Sequence, residues 1–325
     1  MTGNPYWQAV AVLRMMLLSV AAIAVVAAAC SATGDAPSAS QYVPIEQVPV
    51  AATPAEPTPD ASNGLFRSVC GRNAERHLNA DNVLISPGLR NGAHHTHEYV
   101  GNTTTDAFST SESLAAGGTT CAHGDLSAYF WPVLRLTDAT GHDAHAEGGG
   151  VHGNTGEVVL PESVAVLFSG SPVGKVAPMP RFLRMITGNP SAATSGGLNA
   201  NAKWSCAGFI DRVTMKYPRC PEGHDVIRAF NFPSCWDGRN TDSASHRDHT
   251  AFPASNGACP PETFPIPHLE LVVSYDVPNG RPFAVDSFPE ERRDPMTDHA
   301  MFVNAFPDDL MAKAVECVND GRTCG

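Results

Sequence analysis

The chain has 325 residues, 42% of them hydrophobic and 17% charged, with 28 Gly, 27 Pro and nine Cys. That is enough apolar material for a full core, with many turn formers, and it excludes a disordered tail or a coiled coil. Thirty-three acidic against 21 basic residues give a formal charge of -12, and no run of Lys or Arg is present to neutralise phosphates, so no nucleic-acid partner is expected.

The first 29 residues carry one charge, Arg14, ahead of the apolar run Met15 to Ala29, which reads as a signal peptide over residues 1–29. The run is shorter than the roughly 20 residues a spanning helix needs. Ala27, Ala28 and Ala29 precede Cys30, the arrangement a lipoprotein signal peptidase requires. Cys30 is therefore the expected lipidation site, and the membrane the expected partner through that anchor. The location that follows is the outer face of the cytoplasmic membrane or the cell envelope. Ordinary cleavage after Ala29, with Cys30 incidental, is the alternative. Residues 30–63, with Asp35, Glu46, Glu56 and Asp60 among Ser, Ala, Thr and Pro, show no apolar periodicity and read as a disordered tether.

From residue 64 onward, short apolar or alternating stretches are broken by Gly, Pro, Asn or Asp: NVLISPG, LSAYFWPVLRL, GEVVLPESVAVLFSG, RFLRMITG, DRVTMKYP, VIRAFNFP and HLELVVSYDVP. These read as strands. In the last, Leu269, Leu271, Val273 and Tyr275 share one face, as in a half-buried antiparallel strand. One helix is expected, PDDLMAKAVECV, with Leu310, Met311, Ala314, Val315 and Val318 at helical spacing and Asp308 and Asp309 at its start. Residues 64–325 thus read as a single mainly β domain, a β-sandwich or jelly roll with many loops and a C-terminal helix.

Without Cys30, eight cysteines remain, and an even count in an exported chain reads as four disulfides. No Cys-x-x-Cys occurs, so a zinc ribbon is excluded. Short separations favour Cys206 with Cys220, Cys235 with Cys259 and Cys317 with Cys324, leaving Cys70 with Cys121, although eight cysteines allow 105 pairings. Gly148, Gly150 and Gly153 fit G-x-G-x-x-G only formally, since no buried strand precedes them and no helix follows.

The ordered blocks HHTHEYVGN (His94 to Asn102), Ser109 to Leu134, RFLRMITGN (Arg181 to Asn189), Trp204 to Cys206, YPRC (Tyr217 to Cys220), Phe232 to Pro253 and HLELVVSYDV resemble the domain-of-unknown-function family nineteen-ninety-six. This family occurs in bacterial exported proteins and in fungal wall proteins that often carry a WSC carbohydrate-binding module. The resemblance spans about residues 80–280. Ser245 and Asn189 stand where the family usually or often has aspartate. The resemblance implies an extracytoplasmic location and a shared polar site, with no reaction attached.

His95 and His97, two apart on an expected strand, aim both rings to one face, with His94 on the other. His246 and His249, three apart in a turn-rich stretch, can also meet. The four are the expected ligands of a divalent metal ion, approaching one another in a cleft with Asp125. Glu98, Asp242 and Asp248 lie in the same blocks. Asp125, Asp237, His97 and His249 are the expected acid–base groups of a carbohydrate-active enzyme. Tyr129, Trp131, Trp236 and Arg184 are the expected substrate contacts, since aromatic faces match pyranose rings. The non-catalytic alternative is a wall-polysaccharide-binding or structural surface lipoprotein. His142, His145, His152 and His224 are assigned to ordinary loop contacts.

Overall fold

A computed structural model describes residues 37–53, 56–139 and 152–325. The expected signal peptide over residues 1–29, the expected lipidation site Cys30, and His142 and His145 lie outside the described residues. The described chain runs through β1 (Tyr42–Pro44), β2 (Leu65–Ser68), β3 (Leu78–Asn79), β4 (His97–Gly101) and the short helix α1 (Ser111–Ala116). Then come β5 (Ala128–Pro132), β6 (Leu134–Leu136), β7 (Glu157–Val159), β8 (Ser163–Ser169), β9 (Arg184–Gly188) and β10 (Trp204–Cys206). They are followed by β11 (Tyr217–Arg219), β12 (Val226–Asn231), β13 (Cys235–Trp236), β14 (Thr250–Ala251), β15 (Phe264–Pro265) and β16 (His268–Tyr275). The chain closes with β17 (Phe283–Val285), β18 (His299–Val303), α2 (Asp308–Asn319) and β19 (Thr323–Cys324).

Two sheets carry the architecture, one ordered β10-β12-β16-β8-β2-β19 and the other β3-β4-β5-β18-β9, with three smaller sheets beside them. In β16 the alternation read from sequence buries Leu269, Leu271, Val273 and Tyr275. The large sheets face each other in a sandwich: Trp131 of β5 stacks on Phe230 of β12 and Phe302 of β18 meets Phe168 of β8, with ring centroids 6.1 and 6.3 Å apart. The far face of the five-stranded sheet presents Tyr99, Phe130, Met301 and Val303, which pack with Val83, Leu84 and Leu114. That sheet is therefore buried on both sides. Helix α2 forms as expected, with Asp308 and Asp309 in its first turn and Leu310, Met311, Ala314, Val315 and Val318 buried.

All eight cysteines pair, as Cys70–Cys121, Cys206–Cys220, Cys235–Cys259 and Cys317–Cys324. These are the pairs that the short sequence separations favoured, with Cys70–Cys121 as the remaining one.

Three expectations need correction. The segment 37–53 is not a free tether: β1 pairs in parallel with β11, Tyr42 donates to the Phe283 carbonyl at 2.5 Å, and Ile45 and Val48 are buried. Its few apolar residues are too sparse to show periodicity, yet burying Ile45 alone contributes about 1.5–3 kcal/mol. NVLISPG is a turn, because Asn82 Oδ1 accepts from the amides of both Leu84 and Ile85 at 3.0 Å and so competes with a sheet ladder. In DRVTMKYP only Tyr217 and Pro218 join a strand.

Between the sheets lies a buried polar network. Arg228 donates to Asp298 at 2.6 and 3.1 Å, to the Pro132 carbonyl at 2.9 Å and to Tyr275 Oη at 3.0 Å. Glu98 Oε1 lies 4.0 Å from the same guanidinium and accepts from Trp131 Nε1 at 2.7 Å and from Tyr275. Burial pushes the Glu98 carboxyl up to about 7, against the pull of these donors.

Candidate metal centre

The strand register brings distant histidines together. His97 of β4 lies opposite Pro132 of β5. The β5–β18 register, Met301 opposite Phe130, places His299 opposite Pro132 when carried two residues further. His97, Pro132 and His299 thus form one row across three strands, and side chains directly opposite share a face. His95, just before β4, completes the group: its Nε2 is 3.1 Å from His97 Nε2 and 3.2 Å from His299 Nε2. All three residues are at most 2% exposed.

The backbone sets the tautomers. His97 Nδ1 is 2.9 Å from the Asp81 carbonyl and His299 Nδ1 is 2.8 Å from the Thr297 carbonyl. A carbonyl only accepts, so both Nδ1 atoms carry the proton and both Nε2 atoms present lone pairs. His95 Nε2 faces both. A neutral His95 has one proton, and its Nδ1 is buried with no hydrogen-bond partner. Three imidazole nitrogens therefore converge where at most one hydrogen is available, an arrangement a cation satisfies better than a proton.

Burial holds all three rings neutral. It pushes His97 down to about 4 and His299 down to about 3, and it lowers His95 well below the ordinary value with neighbouring imidazoles adding to the effect. Neutral imidazole is the ligand form. Two nitrogens bonded to one ion at 2.0–2.1 Å stand about 3.3–3.4 Å apart at a tetrahedral angle and about 2.8–3.0 Å apart at a right angle. The distances of 3.1 and 3.2 Å fall between these. Phe130 and Phe288 flank the group, 5.3 Å from the rings of His97 and His95 respectively. Gly188 sits opposite His299 with φ +75°, and a Cβ there would stand 2.8 Å from the His299 Cα.

The third imidazole is His299, not His246 or His249. His246 Nδ1 is held by Asp242 at 2.8 Å. His249 sits between Ser243 Oγ at 3.0 Å and the Arg184 carbonyl at 2.7 Å, where it braces a loop against β9. The Arg184 side chain lies 3.6 Å from Asp242.

The carboxylates do not join the cluster either. Asp125 is wholly buried, where Ser68 Oγ, Tyr129 Oη and the Ser127 amide donate to it at 2.5, 2.7 and 2.9 Å, and burial raises its carboxyl. It lies beyond the Gly101 end of β4, since Gly101 pairs with Ala128 while His97 pairs with Pro132. Asp237 caps an exposed turn through the amides of Arg239 and Asn240, both at 2.9 Å. Glu98 points to the opposite face of β4 from His97. Tyr129 and Trp131, expected to stack on sugar, have no exposed surface. Trp236 is half-buried and donates to the Asn240 carbonyl at 2.7 Å.

Sequence reading missed His299 because it opens a short, wholly buried apolar strand, HAMFV, 202 positions after His97. The one available signal was a histidine at the start of a second buried strand.

The fold and site define a disulfide-braced β-sandwich with a buried three-histidine cluster at one end of its five-stranded sheet. The chain belongs to the family described as Domain of unknown function (DUF1996), which matches residues 82–307 and so includes all three histidines. No curated protein and no solved structure matches the chain.

Proposed function

We propose that this is an exported envelope protein, anchored through a lipidated Cys30, whose working group is a divalent metal ion held by His95, His97 and His299. The observation that carries this reading is the convergence of three neutral, buried Nε2 atoms with too few protons to satisfy one another. Imidazole ligation suits zinc, copper, iron or nickel, and three protein ligands leave a fourth coordination position that an enclosed water can fill. Four disulfides and the composition of the first 30 residues support an oxidising location outside the cytoplasm. Metal analysis of the purified protein, after incubation with zinc and separately with copper, should give about one equivalent in the wild type and none in His97→Ala or His299→Ala. A wild type that retains no ion, or retention unchanged in His299→Ala, overturns the reading.

One observation favours the second reading, wall-polysaccharide binding. Trp236 stands directly opposite Phe264 across β13 and β15, and Phe264 is more than half exposed, a pair of aromatic faces suited to sugar stacking. Phe264→Ala should weaken retention on insoluble wall polysaccharide while leaving metal content unchanged.

A further inference from the structure

The three-histidine cluster is sealed from solvent, so an ion needs a way in. His94, the residue before the first ligand, is exposed, and its Nδ1 stands 3.2 Å from Nε2 of exposed His152. That separation equals the one between His95 and His299, and it too suits two nitrogens sharing one cation. Both residues hold left-handed backbone, φ +59° for His94 and +52° for His152. Non-glycine residues adopt that conformation at a cost of about 1–3 kcal/mol. At His94 the reversal lets successive side chains point outward and inward.

The ring of Phe288 adjoins both groups, 6.1 Å from the His94 ring and 5.3 Å from the His95 ring. It is half-buried, and with His152 and Arg292 it lines a narrow cleft.

We propose that His94 and His152 form an outer two-histidine cation site that receives divalent metal and passes it to the buried centre past the Phe288 ring. The proposal rests on the metal reading of that centre. Two exposed imidazoles hold an ion more weakly than three buried ones, and the Arg292 guanidinium in the same cleft weakens cation binding further by repulsion. An outer site of this kind releases its ion inward instead of storing it.

The test follows cobalt(II) uptake by the metal-stripped full-length protein in a stopped-flow absorbance experiment. Wild type should load one tightly held ion. His94→Ala and His152→Ala should approach their plateau at least tenfold more slowly, and Phe288→Ala should speed both loading and chelator-driven release. Circular dichroism of each variant shows that it is folded. Unchanged loading rates in both histidine variants overturn the outer site while leaving the inner centre standing. Loss of the plateau itself in His94→Ala also overturns it, since His94 would then belong to the inner centre. A wild type that takes up no cobalt removes the inner centre, and the outer site with it.

Discussion

Arg228→Met strips the cation from the polar network between the sheets and leaves Glu98 and Asp298 buried. Methionine occupies similar space, so the loss is mainly electrostatic. Two bonds to Asp298, one to Tyr275 and one to the Pro132 carbonyl disappear, together with packing of the guanidinium over Trp204, Phe230 and Tyr275. Breaking one side of a buried ion pair costs about 3–5 kcal/mol, a large part of a typical domain's stability of 5–15 kcal/mol. The pH dependence has a definite sign. Glu98 titrates at about 7 in the folded protein against an ordinary 4.5, so folding favours its neutral form, and that contribution is full below pH 4.5 and lost as pH rises through 7. Removing Arg228 raises the folded value further, so the deficit should grow from pH 5 to pH 8. Because Glu98 and Asp298 adjoin His97 and His299 in sequence, metal capacity should fall as well. Denaturant unfolding with disulfides intact, at pH 5, 7 and 8, measures the deficit. A loss below about 1 kcal/mol, or one that shrinks as pH rises, would refute the electrostatic account.

Gly188→Ala places a methyl against the His299 backbone in a left-handed conformation, and it should cost about 1–3 kcal/mol together with most of the metal uptake; normal uptake would show that β9 yields. Ile45→Ala should destabilise the whole domain by about 2–5 kcal/mol in a single unfolding transition, whereas no effect would return residues 37–53 to the status of a tether. In the metal-free protein, His97 and His299 stay neutral when folded but bind protons near 6.5 when unfolded. Their contribution is complete above pH 6.5 and lost as pH falls through the folded values. Over the 1.5 units down to pH 5, at about 1.36 kcal/mol per unit, each costs about 2 kcal/mol. Melting curves in chelator should show that loss, and a pH-independent midpoint would contradict it.

What could be read from sequence was local. The alternation of Leu269, Leu271, Val273 and Tyr275, the α2 stripe and the short cysteine separations each depend on residues near one another in the chain, and the structure has them all. The docked segment around Ile45 was hidden because Tyr42, Val43, Ile45, Val48 and Val50, scattered among Pro, Gln and Glu, carry no period. Asn82 was misread because a side chain that caps its own turn overrides β-favouring neighbours. His246 and His249 met the spacing criterion for a site, yet their partners are a loop carboxylate, a serine and a β9 carbonyl. Spacing within a loop does not fix where the loop lands. His299 was out of reach for the opposite reason: its place beside His95 is set by the order of strands in a sheet, which no local pattern encodes.

The separation of 204 residues between His95 and His299 also sets a schedule. Loop closure over such a span comes late in folding, after local hairpins and short disulfide loops have formed. A chain threaded outward from its N-terminus delivers His95 and His97 first and His299 only when nearly all of it has crossed. Until β18 inserts between β5 and β9, two imidazoles face an incomplete sheet. If the chain is exported as proposed, the three-nitrogen centre is completed only on the far side of the membrane, and an ion bound there would come from the pool on that side, whatever metals the cytoplasm contains.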